Sequence, residues 1–313
     1  MYLLLKNILF SKKIILLQSY LQIINFKELI YSKKIFNKNL NETIILSHHI
    51  KYSYFKKTIA LLKNLNIKNM PLHCSREYQI KLIYILLKFR RFFLRNFDLV
   101  ITGNANSYLD REFIYLSNKT IILDDGTNIL DNKFQKLKLP NCEVFSAFES
   151  IYFKEYKYLA NNYYFLKKKL KKLSGYSNNI YFLGSPFVEF NIMKENEYVS
   201  ILQKIISFLK QKNKIIYVPH PRENPINLKK YFKNIKILNI DYPIELYLLG
   251  KNKYPKKVIA LGSTALIILK KLSNKFRLLN IVQKKTLFTN VHKNRNRKFN
   301  FYIKKKGIKT KII

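Results

Sequence analysis

Short runs of β-branched and large aliphatic residues recur along this chain, several of them followed by a longer segment with apolar residues at helical spacing. Ile14–Leu17 reads as a strand that passes through a turn at Gln18–Tyr20 into a helix ending near Ile30, and Thr43–Ser47 leads into a helical pattern over Tyr52–Leu65. Asp98–Thr102 and Thr120–Leu123 continue the series as buried strands, each followed by a polar loop, and Tyr163–Lys172 is an aromatic, Lys-rich helix. Ser174–Asn179 is the best linker in the chain. Beyond it the strands Ile180–Leu183, Lys214–Val218, Lys236–Ile240, Val258–Leu261 and Leu278–Ile281 alternate with helices at Glu197–Lys212 and Ala265–Leu272. Strand–helix alternation of this kind predicts parallel sheets. The expectation is two α/β domains, 1–175 and 176–313.

Composition agrees, since 313 residues with 48% hydrophobic character suffice for two cores. The formal net charge of +41 points to an anionic partner, nucleic acid or a membrane face. Heavy use of Lys, Asn, Ile, Tyr and Phe without Trp is also what A- and T-rich coding produces, and Lys is spread with no nucleic-acid motif. Specific nucleic-acid binding is therefore not expected, whereas affinity for an anionic membrane follows from the charge itself. Gln79–Phe97 reads as a basic amphipathic helix, either lying on lipid or packing on the sheet with its cations solvated. The basic Lys293–Ile313 is expected to be frayed or membrane-proximal. Cys74 and Cys142 are far apart and lack ligand spacing, which favours a reducing compartment, the cytoplasm by default. No apolar stretch approaches the roughly 20 residues a spanning helix needs. Met1–Leu17 has no small-residue cleavage site and reads as the approach to the first strand.

Four islands carry chemistry. Asp124-Asp125-Gly126 follows an apolar strand, and adjacent carboxylates raise one another's proton affinity, which suits a general base; a strand-ending Asp-Gly turn is the plainer alternative. His220 stands between Pro219 and Pro221, which restrict its backbone, and Arg222 beside it offers a fork of donors for phosphate; a rigid turn with a solvated imidazole is the alternative. Glu245 in Pro243-Ile244-Glu245 opens a short helix and suits the amino group of a cytosine, or merely the helix dipole. Gly262-Ser263-Thr264 precedes a helical run, where hydroxyls and backbone amides make an anion site, or an ordinary N-cap.

With these motifs in this order the chain resembles the bacterial glycosyltransferase family 52, which includes lipooligosaccharide α-2,3-sialyltransferases. Related sialyltransferases and polysialyltransferases share acidic-acidic-Gly, His-Pro and Ser-Ser/Thr motifs. Tyr217-Val218-Pro219-His220-Pro221-Arg222-Glu223, Leu183-Gly184-Ser185-Pro186-Phe187-Val188-Glu189 and Pro243-Ile244-Glu245 look like the family forms, and the resemblance spans about 14 to 270. It implies a GT-B type fold, two Rossmann-like domains facing across a cleft. The roles implied are a base at Asp124, with Asp125 the lesser candidate, an acid or phosphate stabiliser at His220, a cytosine contact at Glu245, and phosphate contacts at Ser263 and Thr264. Arg222 and Gly262 join the donor side. Gln22 and Asn128 are weaker acceptor-side candidates. The family's Thr-Pro-Leu-Gln after the first strand is replaced by Ser19-Tyr20-Leu21-Gln22, which puts acceptor or sugar contacts from that loop in doubt.

The expected protein is an inverting transferase that moves sialic acid from CMP-sialic acid to a galactose-like end of a surface glycolipid such as lipooligosaccharide. No metal or other cofactor is expected, because the donor leaves from a monophosphate and the chain has no Asp-x-Asp run. Expected partners are the nucleotide-sugar, a glycolipid or oligosaccharide acceptor and the anionic inner membrane face, with a homodimer also admissible. The rivals are a glucosyltransferase using another nucleotide-sugar, a basic coat for polyanions or membranes, and a relative that has lost turnover.

Overall fold

Strand and helix alternate through most of the chain. The structure, a computed structural model, describes 6, 8–33, 43–46, 52–67, 71–74, 76–130, 134, 137–170, 173–209, 214–224, 235–282 and 290–312. The chain divides into two compact units, Met1–Phe165 and Leu166–Ile313. Expected positions 1–5, 7, 47, 171–172, 210–212 and 313 lie outside the described residues.

The first unit runs β1 (Lys13–Leu17), α1 (Tyr20–Lys33), β2 (Thr43–Leu46), α2 (Tyr52–Asn64), β3 (Pro71–His73), α3 (Glu77–Phe93), β4 (Leu99–Thr102), α4 (Tyr108–Tyr115), β5 (Thr120–Leu123), β6 (Cys142–Ser146) and β7 (Lys157–Ala160). Helix α5 (Tyr164–Leu170) spans the division. Every strand pairing is parallel, in the order β3-β2-β1-β4-β5-β6-β7. Strands β4 and β5 are buried at every position, as sheets covered on both faces require. Ile14, Leu16 and Val100 pack with Leu86, Leu87, Phe97 and Phe113 in one core. The segment before β1 belongs to it: Ile8 is buried, and the Ile8 and Leu9 carbonyls accept from the Arg90 guanidinium at 2.9 and 2.6 Å.

The second unit runs β8 (Asn179–Leu183), α6 (Glu195–Leu209), β9 (Lys214–Val218), β10 (Lys236–Ile237), α7 (Ile244–Leu249), β11 (Lys257–Ala260), α8 (Ala265–Leu272), β12 (Leu278–Val282), α9 (Asn290–Lys305) and β13 (Lys309–Ile312). Its sheet is also parallel, in the order β10-β9-β8-β11-β12-β13, the doubly wound arrangement in which strand order reverses beside the first strand. Tyr198, Leu202, Ile205 and Ile206 of α6 pack on Phe182, Tyr217 and Ile259.

Two expectations are corrected. Ser174–Asn179 is not a free linker: Ser174 and Ser177 donate to the carbonyls of Asn252 and Tyr254, and Tyr254 donates to Gly175, so the segment is stitched into the second unit. The basic C-terminal stretch is not frayed, because Phe299, Tyr302, Ile303 and Ile308 are buried and β13 completes the sheet edge. Strands β3, β6 and β7 and helix α4 were not legible in the sequence. They are short, and charged or polar residues such as Glu143 and Lys157 break their apolar runs. Both cysteines are buried and free. Among the described residues no helix is long and apolar enough to cross a membrane.

Candidate active site

In a doubly wound parallel sheet the strand ends after the carboxyl termini are open to ligand, above all where strand order reverses. Chemistry-bearing residues of each unit collect there.

In the first unit Asp124 and Asp125 leave the end of β5. Asp124 is 2% exposed, and its carboxylate is fully engaged: Oδ1 accepts from the Gly126 N–H at 2.7 Å, and Oδ2 accepts from the Ser146 hydroxyl at 3.0 Å and the Ala147 N–H at 3.1 Å. Its carbonyl accepts from Asn25 of α1 at 2.7 Å. Burial outweighs the donated bonds and lifts its pKa to about 6. Asp125 is half-buried and accepts from the Ser19 hydroxyl at 2.8 Å. The order expected from the sequence, Asp124 before Asp125, therefore conflicts with access, because a base must reach the substrate hydroxyl.

A third carboxylate went unremarked in the sequence. Asp110 of α4 is buried, accepts from the Thr102 hydroxyl at the end of β4 and from Gln18 at 3.4 Å, and is raised to about 7 by burial. The scarcity of aspartate, six in the chain, was the available signal. Gln22, expected on the acceptor side, is instead enclosed: a Cβ on Gly103 would fall 2.1 Å from its Cδ, so β4 passes it only through glycine. Asn128 lies in the short 3-10 turn Gly126–Leu130, and its side chain lies outside the described residues.

In the second unit His220 follows β9 and is half-buried. Its Nδ1 accepts from the Arg222 N–H at 3.2 Å, which leaves the ring proton on Nε2. Burial first, then the Arg222 charge, lowers its pKa to about 4, so near neutral pH the ring is an uncharged donor rather than an acid. Arg222 is exposed, its guanidinium 5.3 Å from the Phe190 ring. Gly262-Ser263-Thr264 forms the turn from β11 into α8. Gly262 has φ 71°, and a Cβ there would meet nothing within 4 Å. Its N–H donates to buried Asn280 of β12 at 3.1 Å, and the Ser263 hydroxyl accepts from the Ala265 N–H at 3.3 Å. Strands β9 and β11 flank β8, so the two turns leave the sheet two strand spacings apart, roughly 10 Å. Glu245, in the first turn of α7, is buried and raised to about 7 by burial. The structure thus gathers His220, Arg222, Gly262, Ser263 and Thr264 on one carboxyl edge, and Asp124 and Asp125 on that of the other sheet, while Glu245 stands in the first turn of α7.

Two doubly wound parallel sheets in one chain, with polar turns at their carboxyl edges, define a GT-B type α/β protein. A bacterial α/β-galactoside α-2,3-sialyltransferase from Photobacterium phosphoreum shares this fold, with TM-score 0.53 and 12% identity over 95% of this chain and 97% of that one. So does the UDP-GlcNAc 2-epimerase of Methanocaldococcus jannaschii, with TM-score 0.53 and 16% identity over 86% and 83%. None of the curated proteins matches the sequence. The chain belongs to the alpha-2,8-polysialyltransferase family (POLYST), whose model matches 5–279. It is a glycosyltransferase of the sialyltransferase type.

The two aspartates separate in their effect on stability. Asp124→Ala strands three donors and is expected to cost about 2–4 kcal/mol in a urea melt, whereas Asp125→Ala should stay within about 1 kcal/mol of the parent. Equal losses would contradict the burial difference.

Proposed function

We propose that the enzyme transfers sialic acid from CMP-sialic acid by a single inverting displacement, without a metal ion. The acceptor hydroxyl oxygen attacks the anomeric carbon as the bond to the CMP phosphate breaks. The bonding pair leaves on the phosphate oxygen, and the hydroxyl proton passes to a carboxylate. The observation that carries this reading is the uncharged His220 donor on the same carboxyl edge as the turn of Gly262, Ser263 and Thr264, a set suited to a departing phosphate monoester. Arg222 adds a cation for the same phosphate. Asp125, the more accessible acid, takes the base role, and Asp124 holds the turn that carries it.

The acceptor is the non-reducing terminal sugar of a surface glycan. A galactose-like end of a lipooligosaccharide was the first expectation; the family's description and the +41 charge favour a chain already ending in sialic acid. Purified protein given CMP-sialic acid with a lactoside or an oligosialic acid should release CMP at a rate EDTA does not change. Asp125→Ala should lower kcat by about 10²–10⁴-fold while CMP still binds. Turnover of a UDP-hexose instead would refute the donor, and near-normal turnover in the variant would refute the base.

Glu245 is assigned to the cytosine amino group. Glu245→Ala should weaken CMP about 10-fold or more and erase any preference for CMP over UMP in a binding titration; an intact preference would remove Glu245 from the site.

The enzyme is further proposed to work at the inner face of the membrane. Supporting this, α3 carries Tyr78, Ile85, Phe89, Phe92 and Phe93 exposed along one side, Phe92 to 76%, with Lys81 and Lys88 among them. Its other side, through Ile83, Leu86 and Leu87, is in the core. Vesicles containing an anionic lipid should co-sediment the protein in a salt-sensitive way, and Phe89→Ser with Phe92→Ser should cut that binding at least 10-fold. Equal binding to neutral and anionic vesicles would refute the charge-led part.

A further inference from the structure

We propose that Glu223 is the positioning residue for His220: its carboxylate, itself clamped by Tyr198 and Tyr217, seats the Pro219-His220-Pro221 turn so that the imidazole is presented at the end of β9. The inference rests on the reading of His220 as the partner of the leaving phosphate.

Two prolines leave this tripeptide a single backbone N–H, that of His220. Glu223 Oε2 accepts it, and the Glu223 N–H donates back to the His220 carbonyl at 2.9 Å, so the two residues grip each other in both directions. The other carboxylate oxygen accepts from Tyr198 of α6 at 2.8 Å and from Tyr217 of β9 at 2.7 Å. Glu223 is 7% exposed, and both tyrosines are more deeply buried.

The clamp also reaches the other phosphate-side turn. Tyr198 Oη accepts from the Ser185 N–H at 2.9 Å, and the Ser185 hydroxyl donates to the Leu261 carbonyl at 3.1 Å, immediately before Gly262. One chain of bonds therefore links the turns after β9, β8 and β11. Gly184 is the space that admits it: a Cβ there would fall 2.1 Å from Glu223 Oε2 and 2.2 Å from Tyr217 Oη.

A buried carboxylate is costly, and a neutral side chain would fill the volume more cheaply. What a neutral side chain lacks is capacity to accept three donors at once. The cost shows in its pKa, raised to about 7 chiefly by burial. It is borne at the turn that carries the imidazole.

The test reads the His220 ring directly, by ¹⁵N NMR across pH, in wild type, Glu223→Ala and Glu223→Gln. Wild type should keep its proton on Nε2 and titrate near pH 4. Releasing the turn in Glu223→Ala should hydrate the ring and move its pKa up toward 6.5. Glu223, with its pKa of about 7, is already protonated where His220 titrates, so its removal without movement of the turn would leave the value at about 4, and an unchanged or lower value overturns the proposal. Gln keeps one acceptor for the His220 N–H and should restore most of the wild-type behaviour. If Glu223→Ala does not fold, Tyr198→Phe with Tyr217→Phe keeps the acid, removes its clamp and should raise the His220 pKa in the same sense. In turnover, Glu223→Ala should lower kcat about 10–100-fold in the parent yet add nothing to His220→Ala; additive losses would mark a merely structural role. A wild type inert toward CMP-sialic acid would refute the donor, while the NMR result would still decide the role of Glu223.

Discussion

Each sheet ends in a carboxylate that has been taken out of water and given three donors. Asp124 ties the end of β5 to the end of β6 and to its own following turn, with its carbonyl held by α1. Glu223 ties the turn after β9 to α6 and to β9 itself. A parallel strand leaves the sheet with no hairpin partner to fix its loop, so the loop conformation must be set by side chains. Aliphatic packing cannot do this, because it has no direction. A carboxylate can, since it accepts several directed bonds, and its burial makes departure from that geometry expensive.

The same constraint separates residues that hold the edge from those left partly exposed at it. Asp124 and Asp125 are neighbours of identical chemistry, yet one is consumed by the scaffold and the other is half-buried behind Ser19. His220 and Glu223 divide similarly, the ring at the edge and the acid beneath it. Gly184 and Gly103 mark the points of closest approach, where any side chain would strike the buried network.

The charge distribution follows from this use of acids. Among the described residues Glu28, Asp110, Asp124, Glu223 and Glu245 are buried, while no lysine is. Acids withdrawn into the scaffold leave the outside more uniformly positive than composition alone implies. Such a surface attracts anions in general, with a range set by ionic strength.

Sequence periodicity by itself determined the α/β class, most strand positions, the two-part organisation and the islands at strand ends, because these are set by local apolar runs and by turn residues. Thr120–Leu123, Lys214–Val218 and Ala265–Leu272 were legible to the residue. It could not separate Asp124 from Asp125, nor find Asp110 or the function of Glu223, nor see that Ser174–Asn179 and the basic C-terminal stretch are packed into the second unit. Those outcomes depend on which strand lies beside which. Neighbouring strand ends come from separate parts of the chain, whether consecutive strands such as β5 with β6 and β8 with β9 or remote ones such as β8 with β11, and only their pairing decides which acid meets three donors and which stays half-exposed.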